Sequence, residues 1–140
     1  MGGSACKSPY IQGLSGVSMK WNFSHNSADK ILVINTEGVL DLPSADKMRA
    51  EGYALINQHG YLRCLLDHSK ADGFEISIFD TYEIPKRYKE LNIPRTMRMA
   101  VVVPHKMRSD LDFYETVCRN NGYLVSIFFD SESALSWLKS

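Results

Sequence analysis

The chain has 140 residues, enough for one domain with a real hydrophobic core. Sixteen basic residues balance sixteen acidic ones, so no net field favours nucleic acid or an anionic membrane. The three cysteines, Cys6, Cys64 and Cys118, sit at no metal-ligand or redox spacing. With no apolar run of membrane-spanning length and no secretory signal pattern, the expectation is a cytoplasmic protein.

Residues 1–18 are rich in Gly and Ser without periodicity and read as a flexible leader, partly a cloning scar or a native tail. The domain is expected over 19–140. Met19 to Phe23 alternates as a strand, with Met19, Trp21 and Phe23 on one face. A polar turn, HNSADK, then leads to a β-branched strand, Ile31 to Asn35, and the two form an antiparallel hairpin. Gly38 is expected to end that run. A first helix is predicted from Pro43 or Ser44 to His59, with Ala45, Met48, Gly52, Leu55 and Ile56 on one face and Gly60 as a left-handed stop. Gly52 costs about 1 kcal/mol in a helix interior and suggests a close approach to the sheet.

Tyr61 to Asp67 suits a buried parallel strand, followed by a loop, HSKADGFE. The next helix is capped either by Asp80 with Glu83 or, one turn earlier, by Ser77, and Pro85 kinks or restarts it. Met97 to Val103 is the most β-like stretch. Ser109 and Asp112 then have capping-box spacing, and Leu111, Phe113, Tyr114, Val117 and Cys118 make one apolar face about 100° wide. Asn121-Gly122 ends that helix. Tyr123 to Phe129 is the last strand, and Asp130 caps a final helix with Ala134, Leu135, Trp137 and Leu138 inward.

The order is ββαβαβαβα. It predicts an α/β fold: a mixed, mostly parallel five-stranded sheet with an N-terminal β-hairpin and four helices.

Several residue groups within this order resemble the SpoIIAA-like (STAS-domain) family of small bacterial proteins, whose fold is that of anti-sigma-factor antagonists. They are Glu37-Gly38-Val39-Leu40, Leu65-Leu66-Asp67, Arg98-Met99-Ala100-Val101-Val102, Asn120-Asn121-Gly122 and the tail from Phe128 to Leu138. The resemblance covers about Met19 to Leu138. It implies a non-enzymatic regulatory or interaction domain, often a homodimer, with a protein partner. It also implies a phosphoacceptor serine in a D-S-[ST]-G turn after the third strand. Here that region reads Asp67-His68-Ser69-Lys70, with lysine at the second serine-like position and Gly73 displaced. Ser69 is the nearest candidate, with Ser77 behind it as a helix cap.

Ligands of open α/β sheets gather at the carboxyl ends of the parallel strands. That rim is expected to hold Asp67, His68, Ser69, Ser77, His105 and Arg108, with helix starts near Ser77 and Ser109 facing an anion. An alternative function is therefore a binder of a small apolar or anionic ligand there. A third reading is a hydrolase using His105 or the Asp67–Ser69 segment, although neighbours in sequence rarely reach triad geometry. Loop structuring is the preferred reading of Asp67, His68 and Ser69. The four histidines show no H-x-H or H-x-x-x-H spacing, and no Gly-rich phosphate loop follows a strand, so neither metal nor cofactor is expected. Lys86-Arg87-Tyr88-Lys89 reads as a solvated helix face, too short for a nucleic-acid footprint. An exposed Trp137 or Leu138 on the final helix is the condition for an interface there.

Overall fold

The computed structural model describes residues 18–140, so the expected leader lies outside the described residues except for Ser18. A five-stranded sheet runs in the order β1-β2-β3-β4-β5. The strands are β1 (Lys20–Asn26), β2 (Ile31–Leu40), β3 (Arg63–Phe74), β4 (Arg98–Val102) and β5 (Leu124–Phe128). β1 is an antiparallel edge strand on β2, and all later pairs are parallel. The helices are α1 (Leu42–His59), α2 (Ile78–Tyr82), α3 (Ile84–Glu90), α4 (Arg108–Asn120) and α5 (Ser131–Leu138).

Strand alternation divides the core. Met99, Val101 and Val103 face one side of β4, and Ala100 and Val102 face the other. The first side packs Ala45, Met48 and Ile56 of α1, Ile84 and Tyr88 of α3, and Leu111, Tyr114 and Cys118 of α4. The second side, with Ile31 and Leu65, is covered by Ala134 and Leu138 of α5.

The local signals act as expected at many ends. Gly60 and Gly122 take left-handed φ values of 72° and 86° after α1 and near the end of α4. Asp130 caps α5 by accepting the Ser133 amide at 2.7 Å. Ser77 caps α2, accepting the Asp80 amide at 3.0 Å, and α3 restarts with Pro85 in its first turn. The second of the four expected helices is therefore divided in two.

Three expectations are corrected. Gly38 does not end β2. It adopts φ 86° beside register shifts that act as bulges, and β2 continues to Leu40. That continuation gives β3 a partner as far as Leu40↔Phe74, so the segment expected to be a loop after Asp67 is strand. Ser109 is not a cap. A single 3-10 turn, His105–Met107, follows Pro104 and runs straight into α4, whose cap position, Met107, makes no side-chain bond. Ser109 lies inside the first turn.

Candidate functional site: rim, pocket and an exposed helix face

Asp67 and His68 are adjacent on β3 but face opposite sides of the sheet. His68 follows Cys64 and Leu66 onto the side carrying α1, α3 and α4, and all three line a pocket there. Asp67 follows Leu65, and its Oδ1 accepts the Ser69 amide at 2.9 Å, a local turn bond. Ser69 itself is exposed. No nucleophile–base hydrogen bond joins these residues among the described residues.

His68 is buried and shares a 2.6 Å hydrogen bond between Nδ1 and Thr36 Oγ1, also buried. Burial lowers its pKa to about 4, partly opposed by the Asp67 charge, so its imidazole is neutral at pH 7.

His105 and Arg108 meet over Phe129 instead. His105 stacks on that ring at 4.3 Å, and the Arg108 guanidinium lies 5.6 Å from its centroid. Arg108 also pairs with Asp112 at 3.5 Å. The rim thus separates into two groups, and Ser77 belongs to a third place, the start of α2. At the opposite side α5 turns Leu138 fully inward and half-buries Trp137 against Phe128. These two residues do not make the exposed patch that an interface there required.

The pocket beneath the sheet has a volume of about 90 Å3. Its wall is mostly apolar and includes Met19, Met48, Met97 and Met99, whose unbranched side chains adapt readily. The polar groups reaching it are few. Arg49, with a side chain only 12% exposed, pairs with Asp46 at 2.6 Å and lies 5.5 Å from the Tyr88 ring centroid. Tyr88 and Tyr114 bond through their hydroxyls, and burial raises both pKa values. Burial also pushes the Cys64 thiol up to about 12, which makes it a poor nucleophile. An unfilled volume of this size costs on the order of 2 kcal/mol by the cavity relation. It is smaller than the roughly 300 Å3 of a drug-sized site.

The most exposed apolar surface lies on α2, which contributes Ile78, Phe79 and Tyr82 at 69%, 84% and 64% exposure. They are three of the six large hydrophobics left exposed among the described residues. A five-residue helix has too few turns to bury two faces. α2 turns Thr81 inward, where its hydroxyl donates to the Ser77 carbonyl at 2.9 Å. Tyr82 leans on Phe113 of α4, with ring centroids 5.8 Å apart, which extends the patch. The surrounding segment from Ala71 to Glu83 carries Asp72, Glu75, Asp80 and Glu83 and no basic residue. This face lies outside the expected site residues, and its signal in the sequence is the apolar set Ile78, Phe79 and Tyr82 beside the Ser77 cap. The expected solvated basic face is only partly so, because Tyr88 is buried and Arg87 pairs with Asp46 at 2.8 Å.

A hairpin followed by alternating helices and parallel strands, with helices on both faces, defines the SpoIIAA-like class of α/β fold. Solved structures of that class match the chain. An anti-sigma factor antagonist from Mycobacterium paratuberculosis superposes with a TM-score of 0.61 at 12% identity, covering 88% of this chain and 96% of that one. An uncharacterized protein with a SpoIIAA-like fold from Shewanella loihica gives 0.57 at 17% identity, covering 92% and 99%. No family model matches the sequence, and no curated protein matches it. At these identities the likeness carries the fold. No helix among the described residues is long and apolar enough to cross a membrane.

Proposed function

We propose that this chain is a non-enzymatic regulatory domain of STAS type that docks a protein partner through the exposed face of α2. The observation that carries the reading is the placement of Ile78, Phe79 and Tyr82 on one short helix, open to solvent. Contiguous exposed apolar surface marks interaction sites, and aromatic residues are the usual anchors. The acids around it favour a partner groove that is apolar at its centre and basic at its rim, and they disfavour an anionic lipid surface. A fold shared with an anti-sigma factor antagonist is in keeping with a protein partner. The candidate acid–base groups are engaged elsewhere: His68 with Thr36, Asp67 with the Ser69 amide, His105 against Phe129. We place the domain in the cytoplasm.

Within this reading Ser77 is better situated than Ser69 for a phosphate switch. Its hydroxyl already accepts the Asp80 amide, and it precedes Ile78 and Phe79 directly. A phosphate there adds nearly two negative charges beside the docking face.

The test is photocrosslinking in cells of the source organism from a photoreactive residue at position 79, with position 124 as control. Leu124 is also exposed but lies on β5. The expected result is one protein adduct from position 79 that is absent from position 124 and lost with Ile78→Ala and Tyr82→Ala together. An adduct with a second copy identifies α2 as a homodimer surface. The same adducts from both positions, or none, contradict the reading.

A second reading is favoured by the pocket: a small apolar ligand held among the methionines beneath the sheet. Native mass spectrometry of gently purified protein tests it. A reproducible added mass supports it, and bare protein contradicts it.

A further inference from the structure

The amino ends of the strands carry the opposite charge from α2. A groove of about 560 Å3 there is lined by Lys30, Arg63 and Arg98, the hydroxyl residues Thr96 and Ser140, and the exposed Leu62. No acidic side chain lines it. Arg63 and Arg98 are register partners on β3 and β4, which places two guanidinium groups on the same face of the sheet. Like charges directly opposite on neighbouring strands are destabilising.

The two arginines differ, and only Arg63 has no carboxyl oxygen on it. Arg63 donates only to the Asp29 carbonyl, at 3.0 Å, whereas Arg98 donates to the Trp137 carbonyl at 2.7 Å, to the terminal oxygen of Ser140 at 3.1 Å and to its hydroxyl at 2.8 Å, and lies 5.2 Å from the Trp137 ring centroid. Among the described residues no ion pair includes Lys30 or Arg63, and the Asp29 carboxylate is engaged by Lys139 at 3.8 Å and Asn26 at 2.9 Å. The carbonyl end of α5 accounts for Arg98, since a cation is favoured at a helix C-terminus. It does not account for Arg63 or Lys30. Lys30 moreover holds a left-handed backbone, φ 58°, which strains a residue other than glycine.

We infer that this groove binds a small phosphorylated molecule. A phosphate monoester brings nearly two negative charges and three acceptor oxygens. The nitrogens of Arg63 not already donating match such oxygens in forked geometry, as guanidinium groups do, and Lys30 supplies a second charge, with Arg98 beside them. Thr96 offers a hydroxyl, and Leu62 offers apolar surface to the organic part. The site is independent of the α2 face.

Amide-resolved NMR titration of the full chain with inorganic pyrophosphate and, separately, phenyl phosphate tests this. The expected result is saturable shifts confined to the turn before β2, the start of β3 and the start of β4, with phenyl phosphate alone also moving Leu62. Arg63→Gln is expected to weaken binding about tenfold, the effect of losing one charge-assisted bond. Lys30→Gly is the decisive second variant, because it removes the charge while relieving the backbone: it should weaken binding yet leave the fold at least as stable. Lys47→Gln, on the exposed side of α1, should change nothing. Absence of saturable shifts, unchanged affinity in Arg63→Gln and Lys30→Gly, or an equal loss with Lys47→Gln overturns the inference.

Discussion

The carboxylate of Glu115 on α4 accepts the backbone amide of Ile127 on β5, at 2.8 Å. One turn further along α4, the Arg119 guanidinium donates to the Val125 carbonyl at 2.7 Å and to Ser126 Oγ at 2.6 Å. β5 is the sheet edge opposite β1, and its outward groups are open to pairing with another chain. One helix thus closes that edge with its own side chains. Glu115→Ala should cost about 1–2 kcal/mol by leaving the amide unpaired, and should raise self-association. Urea unfolding with size-exclusion chromatography checks both effects. Unchanged stability removes the edge-closing role.

Gly52 packs α1 closely against the sheet. A Cβ built there meets Ile34 Cδ1 at 3.1 Å and Phe23 Cε1 at 3.4 Å. Ile34 also lines the pocket, so its terminal methyl has room to move by a few tenths of an ångström. Gly52→Ala should therefore keep most of the helix-propensity gain, up to ~1 kcal/mol of added stability. A loss of stability on thermal unfolding means the helix–sheet spacing is rigid.

His68 ties stability to pH. Its folded pKa, about 4, lies below the ordinary 6.5, so between those values the unfolded chain binds a proton that the native protein does not. This contribution is complete above pH 6.5 and is lost as pH falls toward 4. It amounts to on the order of 3 kcal/mol over that window. The slope should flatten in His68→Gln. An imidazole that titrates near 6.5 by NMR in the folded protein contradicts the burial argument.

Tyr123 and Tyr114 should respond oppositely to loss of a hydroxyl. The Tyr123 hydroxyl is buried without a hydrogen-bond partner among the described residues. Removing it with Tyr123→Phe should leave stability unchanged or raise it by about 1 kcal/mol. Tyr114→Phe breaks the bond to Tyr88 inside the same core and should cost about 1 kcal/mol. Equal effects of the two variants contradict this hydrogen-bond assignment.

The elements legible in the sequence are those whose signals are local. β4 is a run of apolar residues bounded by prolines, α4 repeats Leu111, Tyr114 and Cys118 on one face, and Asp130 caps α5 alone. The extension of β2 and β3 was not legible. Gly38 serves as a bulge, and His68 to Phe74 has a loop's composition although it pairs with β2. The site was less legible than the fold for the same reason. The pocket gathers side chains from six elements and from Met19 just before β1, and no one stretch of sequence reports it. Register, not spacing, brings Arg63 beside Arg98. The rim residues were each placed near a strand end, but alternation sends Asp67 and His68 to opposite faces.

The proposed function stands on the α2 face being the docking surface. Isothermal titration of the partner captured from position 79 against wild type and Phe79→Ala tests it most directly. Phe79 is the most exposed aromatic of the three and contributes little to the core. Phe79→Ala is expected to weaken binding about thirtyfold, the effect of losing one aromatic anchor worth about 2 kcal/mol, with unchanged thermal stability. Equal affinity in the two proteins contradicts it.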